Sequence, residues 1–342
     1  MTNKEIYVLS AKQISIQQPL SEEWMTNPTL YDVPFSRSID PSFKEYVSPI
    51  EARRMGKILK RALATSKEAL KESGLETVDA IVTGTGYGCI ENTEFFLDAL
   101  SKEGEQLLKP TYFMQSTHNT ISSLIAIQTK NHGYNATYAH KGISFDSALY
   151  DAYLQFKLNK INSALVGGHD EMTETFYHIL RKGGVMGFDN EICGEAAISV
   201  VLSDKQENAL CKLAGHKIIH QQGIDSLKEK VANFLQENGK TCSDIDLILT
   251  GISGYKENDE AYLSETKTLF GDRPLLKYKN LFGESFTASG IGFYVAAQCL
   301  KSGFVPKHLF VNEKDITDKK PNNILIFNRS DGTNYSLTLL EK

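Results

Sequence analysis

The segment VDAIVTGTGYG, residues 78–88, carries the pattern that decides the fold of this chain. Its apolar run predicts a buried strand, and the glycines that follow predict a tight turn into a helix. The amphipathic segment 51–73 precedes it and ends at Gly74, which predicts a helix before the strand. A helix, a strand and a glycine turn in this order are typical of α/β proteins.

The second half of the chain contains an echo of this segment. IDLILTGISGY, residues 245–255, has the same order of an acid, an apolar strand and a glycine-containing turn, after a helical segment that ends at Gly239. The echo predicts an internal duplication whose period is far too long for a solenoid. We expect two similar halves, residues 1–205 and 206–342, that form one compact body.

Predicted strands and helices alternate along the rest of the chain. Residues 14–50 contain five prolines and predict an irregular surface excursion, because proline breaks helices. The nearly uncharged segment 117–133 predicts a helix buried in the core. The alternation predicts an α/β fold with a largely buried sheet. The predicted strands are 5–13, 78–86, 134–140, 163–171, 195–204, 211–220, 245–254, 323–332 and 334–341, and the predicted helices are 51–73, 94–107, 117–133, 141–160, 226–239, 259–271 and 284–303.

The composition is that of an ordinary globular protein. The 342 residues include 37 Lys and Arg against 42 Asp and Glu, a net charge of −5, and 41% of residues are hydrophobic. The mild acidity argues against nucleic acid as a partner, because phosphate binding needs a basic surface. No apolar run approaches the ~20 residues of a membrane span, and the N-terminus lacks the apolar core of a secretory signal. We therefore expect a cytoplasmic protein.

The cysteines and glycine motifs exclude several kinds of site. The five cysteines are far apart, which argues against disulfides and a zinc site and favours a reducing compartment. Cys89 stands where a dinucleotide-binding loop requires its third glycine, and Asp146 stands where a nucleophile elbow around Ser144 requires its second. We expect neither a metal nor a cofactor, and an N-cap is the simpler interpretation of Ser144.

Seven segments together form a family pattern that none of them carries alone. In chain order they are RRMGKILKRALATSKEALKESG (53–74), TGTGYGCIENTEFF (83–96), residues 110–152, SALVGGHDE (163–171), GFDNEICGEAAISVVL (187–202), KNLFGESFTASGIGF (279–293) and RSDGTN (329–334). Their order and spacing resemble the β-ketoacyl synthases of the thiolase superfamily over nearly the whole chain. The resemblance implies a thiolase-like fold with duplicated halves, layered αβαβα.

The resemblance also implies where the family's catalytic groups would lie. These synthases use a cysteine nucleophile at the N-terminus of a buried helix, where the helix dipole stabilises the thiolate, and two histidines that assist decarboxylation and stabilise the enolate. The nucleophile position here is Gly142, and the histidine positions are Thr250 and Glu284. Because a glycine cannot form a thioester, the resemblance implies that the chain does not condense acyl groups by the family mechanism. The retained family positions are Lys279 and the run Gly332-Thr333-Asn334, of which we expect Lys279, Gly332 and Asn334 to have cleft or structural roles.

Relocated chemistry is an alternative to lost chemistry. Ser144 lies two residues after the nucleophile position and His140 two before it. Cys89 and Cys193 lie in turns that approach the cleft in the family. If the chain is an enzyme, we expect one of these residues to carry hydrolytic or acyl-transfer activity.

The family also contains inactive members. Chain-length factors of type II polyketide systems pair with an active synthase and shape the acyl tunnel across the dimer interface. The chain most resembles the short synthase-like proteins of bacterial aryl-polyene and flexirubin pigment clusters. The resemblance implies a non-catalytic dimer partner of an active ketosynthase in polyketide or fatty-acid-type biosynthesis. A homodimeric acyl-binding module and an active acyltransferase of the 3-oxoacyl-carrier-protein synthase type remain alternatives.

Two sets of residues would serve such a partner. A tunnel length would be set by bulky side chains, for which the candidates are Phe113, Phe145 and Phe156. An acyl carrier protein, which presents an acidic helix, would need a basic surface. The candidates for that surface are Arg53, Arg54, Lys57, Lys60 and Arg61.

Overall fold

The computed structural model describes residues 4–105, 108–220 and 223–342. Its strands are β1 (Tyr7–Ile14), β2 (Phe35–Ser36), β3 (Ala80–Gly84), β4 (Tyr134–Tyr138), β5 (Ser163–Asp170), β6 (Cys193–Gly194), β7 (Ala196–Ser203), β8 (Cys211–His220), β9 (Leu247–Thr250), β10 (Leu275–Lys277), β11 (Asn323–Ser330) and β12 (Asn334–Glu341). Its α-helices are α1 (Pro49–Ala52), α2 (Lys57–Ser73), α3 (Ile90–Glu103), α4 (Pro110–Met114), α5 (Thr120–Thr129), α6 (Ser144–Lys157), α7 (Glu174–Lys182), α8 (Ile224–Glu237), α9 (Lys256–Phe270), α10 (Lys279–Phe282) and α11 (Ala288–Ser302).

Ten of these strands form one mixed sheet in the order β10-β9-β11-β12-β8-β1-β7-β5-β3-β4. Within the order, β4, β3 and β5 are parallel to one another, and β7 and β1 continue from β5 with antiparallel pairing. On the other side, β10, β9 and β11 are parallel, and β12 and β8 follow with antiparallel pairing. The strand order therefore repeats about the β1–β8 pair, which joins Val8 to Cys211. The boundary predicted between residues 205 and 206 lies between β7 and β8 and stays a prediction.

Two helices lie between the two groups of strands. Helix α6 contacts β3 and β5 of one group and β8 of the other, and α11 contacts β1, β7 and β11 as well as α6. Both helices carry fully buried aromatic rings, such as Phe145 and Phe293, whose centroids are 5.9 Å apart. Helices α2 and α5 cover the outer face of the first group, and α8 and α9 pack near the second. This arrangement is a thiolase-like α/β fold.

The predicted helix 51–73 is divided in the structure into α1 and α2. Gly56 stands at the break, where its extended backbone forms the N-cap of α2. Glycine is a poor helix former, and a Cβ at this position would lie 2.8 Å from Nδ2 of Asn92. The helix therefore restarts after the glycine, which brings its N-terminus next to α3.

Three sequence-based expectations need correction. Segment 117–133 is not a fully buried helix, because α5 leaves Ile127 71% exposed. Arg61 does not belong to a basic surface, since it is buried and forms ion pairs with Asp40 and Glu195. Phe113 lies exposed on α4, whereas Phe145 and Phe156 are core residues.

Two further differences concern segment ends and the proline-rich region. The predicted helix 94–107 begins earlier, at Ile90, and its last two residues, 106 and 107, lie outside the described residues. The excursion 14–50 is irregular as predicted but is partly buried. Its Trp24 is buried against Phe282 and Tyr294, and the indole N–H donates a 3.0 Å hydrogen bond to the Tyr294 hydroxyl, as a buried indole requires.

None of the helices among the described residues is long and apolar enough to cross a membrane.

Candidate functional site

A cavity of about 450 Å³ lies where the N-terminal ends of α6 and α11 approach the β11–β12 turn. Its walls come from both halves of the chain. The residues that line it are Gly142, Gly184, Val185, Met186, Phe188, Glu191, Tyr255, Glu257, Asn258, Ala261, Lys279, Glu284, Ser285, Phe286, Ala288, Ser289, Asn328, Arg329, Ser330, Asp331 and Gly332. The topology thus brings two of the three predicted triad positions, Gly142 and Glu284, to one cavity.

The predicted nucleophile position is a glycine that lies against the side chain of Ser330. A Cβ built on Gly142 would lie 2.5 Å from Oγ of Ser330 and 3.2 Å from its Cβ. Asn328 holds the loop in place, because its side-chain Nδ2 donates a 3.1 Å hydrogen bond to the carbonyl of Gly142. Ser330 on β11 therefore occupies the position into which a nucleophilic side chain would project.

The second predicted histidine position forms a buried ion pair. Glu284 Oε2 lies 2.5 Å from the Lys279 ammonium, and both side chains are largely buried. Burial raises the pKa of the Glu284 carboxyl, Lys279 lowers it and the nearby Glu191 raises it, so the pKa is about 7. The pKa of Lys279 is raised by Glu284 against the cost of burial, so the ammonium keeps its proton.

A glycine turn brings this ion pair into the cavity. Gly283 ends α10 with a φ of +83°, a conformation that favours glycine. A Cβ there would lie 2.9 Å from the backbone of Gly194, so only glycine allows the two segments to pass this closely. The contact places Glu284 beside Cys193, with which it forms a backbone bridge.

The first predicted histidine position does not reach the cavity. Thr250 is fully buried at the end of β9, and its hydroxyl donates a 2.8 Å hydrogen bond to the carbonyl of Leu276 on β10. The structure thus uses this side chain to join two neighbouring strands.

Among the residues considered for relocated chemistry, Ser144 is hydrogen-bonded to the backbone, and Cys89 and Cys193 are buried. Ser144 Oγ donates to the carbonyl of Lys141 at 2.7 Å and accepts from the N–H of His140 at 2.8 Å. The His140 ring contacts Ser147 at 3.3 Å, not the hydroxyl of Ser144. Cys89 is buried at the start of α3, where burial raises the pKa of its thiol well above the usual range. Burial has the same effect on the pKa of Cys193, so neither cysteine is disposed to form a thiolate.

The retained family positions divide between the cavity and the surface. Lys279 and Gly332 line the cavity, and Gly332 adopts a φ of +66° in the turn between β11 and β12. Asn334 lies outside the cavity lining, where its Oδ1 is 2.9 Å from Nδ1 of His220. The turn is also held by Arg329, which forms an ion pair with Glu265.

Two buried carboxyl groups that the sequence does not single out hold neighbouring elements together in the first half of the chain. Asp170 accepts hydrogen bonds from the N–H groups of Gly86 and Tyr87, and burial raises its pKa to about 6. Glu171 accepts from Ile58 N–H at the start of α2 and from Glu91 N–H at the start of α3. Their signal in the sequence is the acidic pair that ends the apolar strand SALVGGHDE.

Two further carboxyl groups join elements that are far apart in the chain. Asp146 on α6 accepts from Ser336 at 2.5 Å and from Asn328 at 3.2 Å. Glu191 lines the cavity and accepts from the hydroxyl of Ser253 at 2.8 Å. A buried carboxylate requires such donors, but no local pattern in the sequence indicates which donors will supply them.

A mixed ten-stranded sheet with buried helices α6 and α11, and a cavity at their N-terminal ends, defines a thiolase-like protein. Residues 22–246 match the family model described as the N-terminal domain of β-ketoacyl synthase. The chain belongs to the β-ketoacyl synthase family, as the sequence resemblance predicts.

Solved structures of the same fold include ketosynthases and their partner complexes. A chain of the ishigamide ketosynthase/chain length factor matches with a TM-score of 0.82 and 15% identity over 100% of both chains. A β-ketoacyl synthase from Burkholderia phymatum STM815 matches with a TM-score of 0.81 and 12% identity over 99% of both. A chain of the ketosynthase ApeO in complex with its chain length factor ApeC, from Xenorhabdus doucetiae, matches with a TM-score of 0.76 and 14% identity over 99% of this chain and 98% of that one. At these identities the likeness shows the fold, and comparison with curated proteins returned no match.

Proposed function

We propose that the chain is a non-catalytic subunit that pairs with an active ketosynthase, in the manner of a chain length factor. The observation that carries the proposal is the glycine at position 142, where a built Cβ would also lie 2.5 Å from Ser330 Oγ. Covalent acyl transfer in this family requires a nucleophilic side chain at that position, and this chain has no side chain there.

The electrostatics of the cavity support the same proposal. A developing enolate oxygen needs hydrogen-bond donors or positive charge. Glu284 presents a carboxyl group at the position of the family's second histidine, and it uses the ammonium of Lys279 as its own counterion. The ion pair therefore leaves no free positive charge from Lys279 to stabilise an enolate.

The free edge of the sheet supports pairing with another chain. Strand β4 ends the sheet of the described residues, and its sequence YNATY carries no charge. Tyr134 N–H bonds to Asp79, and the Tyr138 carbonyl accepts from Thr85 N–H, so these residues face β3. Backbone groups alternate along a strand, so those of Asn135 and Thr137 face the free edge. Exposed, uncharged edges of this kind favour strand addition.

An apolar surface continues from this edge strand. Helix α5 contacts β4, α4 leads into α5, and α4 contacts α3. These elements expose an unusual set of large apolar side chains: Phe95, Leu97, Phe113, Met114, Ile127 and Tyr134. Large apolar side chains exposed on neighbouring elements are typical of protein interfaces. Two of the similar solved structures are named as ketosynthase and chain length factor pairs, which supports a ketosynthase as the occupant.

Co-expression tests the proposal. The chain is produced together with a ketosynthase of the same organism that retains the Cys-His-His triad, and the two are purified through a tag on this chain only. We expect a one-to-one complex that extends an acyl chain, with malonyl carrier protein as the donor of the added unit. We expect the chain alone to form no product. Condensation or thioester hydrolysis by the isolated chain would overturn the proposal in favour of relocated chemistry.

Asn135 provides a matched pair of variants for the edge strand. Asn135→Pro removes a backbone N–H that faces the free edge, and edge strands tolerate proline on that side. Asn135→Ala removes only the side-chain bond to Ser122 and keeps the N–H. We expect the proline variant to lose the ketosynthase during purification while the alanine variant retains it. Equal retention by both variants would show that β4 is not the pairing edge, and a homodimer without any bound ketosynthase would support the acyl-binding module.

A further inference from the structure

We propose that the cavity binds a small organic cation, a primary ammonium group carried on an apolar or aromatic stem. The inference concerns the ligand of the cavity and holds whether or not the chain pairs with a ketosynthase.

The charged residues that line the cavity have an excess of negative charge. Four carboxyl side chains line it, from Glu191, Glu257, Glu284 and Asp331, against the two cations of Lys279 and Arg329. Electrostatic complementarity between a cavity and its ligand favours a positively charged group in such surroundings.

Both cations of the lining are already engaged. Lys279 lies 2.5 Å from Glu284. Arg329 contacts Glu265 at 3.2 Å and Asn258 at 2.9 Å. An anionic ligand would have to compete with these internal partners for either cation.

Three of the four carboxyl groups that line the cavity have no cationic partner. Among the residues that the structure describes, Glu191, Glu257 and Asp331 form no ion pair. Glu191 is buried and held by the hydroxyl of Ser253 and the N–H of Gly187. No cationic side chain of the described residues forms an ion pair with this carboxyl group at the cavity wall, so a ligand can supply the positive partner.

Two buried hydroxyl groups supply the second observation. Ser285 and Ser289 line the cavity, are 4% and 5% exposed, and their Oγ atoms have no hydrogen-bond partner among the described residues. Buried hydroxyls of this kind are usually satisfied, so a ligand with N–H donors would complete them.

The aromatic residues of the lining fit the stem of the ligand. The rings of Phe188 and Tyr255 stack with centroids 4.5 Å apart, and Phe286 lies on the same cavity. Aromatic faces attract ammonium groups as well as apolar stems. The cavity thus combines carboxyl groups, hydroxyls and aromatic faces around one space.

Titration calorimetry with three matched probes tests the proposal. The probes are 2-phenylethylammonium, 2-phenylethanol and 3-phenylpropanoate, which share a stem and differ in charge. We expect the ammonium to bind, the alcohol to bind about tenfold more weakly, as loss of one close ion pair predicts, and the carboxylate not to bind detectably. Equal binding of the carboxylate, or no binding of the ammonium at millimolar concentration, would overturn the inference.

Variants locate the binding in the cavity. Asp331→Asn and Glu257→Gln alter lining carboxyl groups on the surface side, where the fold tolerates change, and Ser285→Ala removes a buried hydroxyl. We expect each to weaken ammonium binding several-fold, whereas Glu260→Gln, on the same helix as Glu257 but outside this lining, leaves it unchanged. If Glu260→Gln weakens binding as much as the lining variants do, the attraction comes from the general surface charge and the proposed site is wrong.

Discussion

At the scale of single residues, the chain replaces a reactive position by a packing contact. Gly142 and Ser330 are almost two hundred residues apart in the sequence, yet one fills the space that the other leaves open. The ion pair of Glu284 with Lys279 lines the same cavity. In the family resemblance Gly142 and Glu284 are departures from the pattern, whereas Lys279 is a retained position.

This packing contact predicts the outcome of restoring the nucleophile. We expect Gly142→Cys to lower the free energy of unfolding by about 1–3 kcal/mol, because its Cβ would overlap Ser330. We expect the double variant Gly142→Cys with Ser330→Gly to recover most of that loss, and neither variant to condense acyl groups while Thr250 and Glu284 remain. Urea unfolding of the four members of this cycle measures the coupling. A single Gly142→Cys variant as stable as the parent would show that the space is not filled.

At the scale of elements, one buried carboxyl group caps two helices. Glu171 receives the N–H of Ile58 in the first turn of α2 and that of Glu91 in the first turn of α3, both at 3.1 Å. The restart of α2 after Gly56 places the two helix ends side by side. Glu171, just after β5, therefore positions the N-terminal ends of α2 and α3. Helix α3 in turn contributes to the apolar surface on α3, α4 and α5.

Replacement of Glu171 by glutamine tests this double role. A glutamine offers one carbonyl oxygen where two are used, so one helix end loses its acceptor, at a cost of about 1–3 kcal/mol. We expect faster amide hydrogen exchange in the first turn of α2, of α3 or of both, with the other helices unchanged. Glu174→Gln, an exposed glutamate in the first turn of α7, serves as the control. Uniform loss of protection across all helices would mean that Glu171 acts on global stability and not as a cap.

At the scale of the whole molecule, the buried carboxyl groups make stability depend on pH. Burial raises the pKa of Asp170 to about 6 and those of Glu171 and Glu284 to about 7. Between the ordinary pKa of a carboxyl group and these values the folded state holds protons that the unfolded state has released, so the stabilisation present at low pH is lost as pH rises. Burial also lowers the pKa of His169 to about 3, which opposes this trend below pH 6.5.

A comparison with Glu284→Gln isolates one of these groups. We expect the free energy of unfolding of the parent, relative to that of the variant, to fall by up to about 3 kcal/mol between pH 4.5 and 7. Thermal unfolding monitored by circular dichroism over this range checks the expectation. The exposed Glu257→Gln should show a constant difference from the parent. A difference for Glu284→Gln that does not change with pH would mean that the pKa of Glu284 is not raised.

The sequence by itself determined the α/β class, the family and most of the longer strands and helices, though not α7 or β10, because apolar periodicity, glycine turns and motif spacing are local properties of the chain. The β8 and β12 segments, for example, have the predicted starting residues. The tertiary structure alone decided that Ser330 fills the space beside Gly142, that Glu191 joins Glu284 at one cavity and that the uncharged helix α5 faces outward. These features depend on which distant elements the sheet order brings together, and a side chain carries no local sign of a neighbour two hundred residues away.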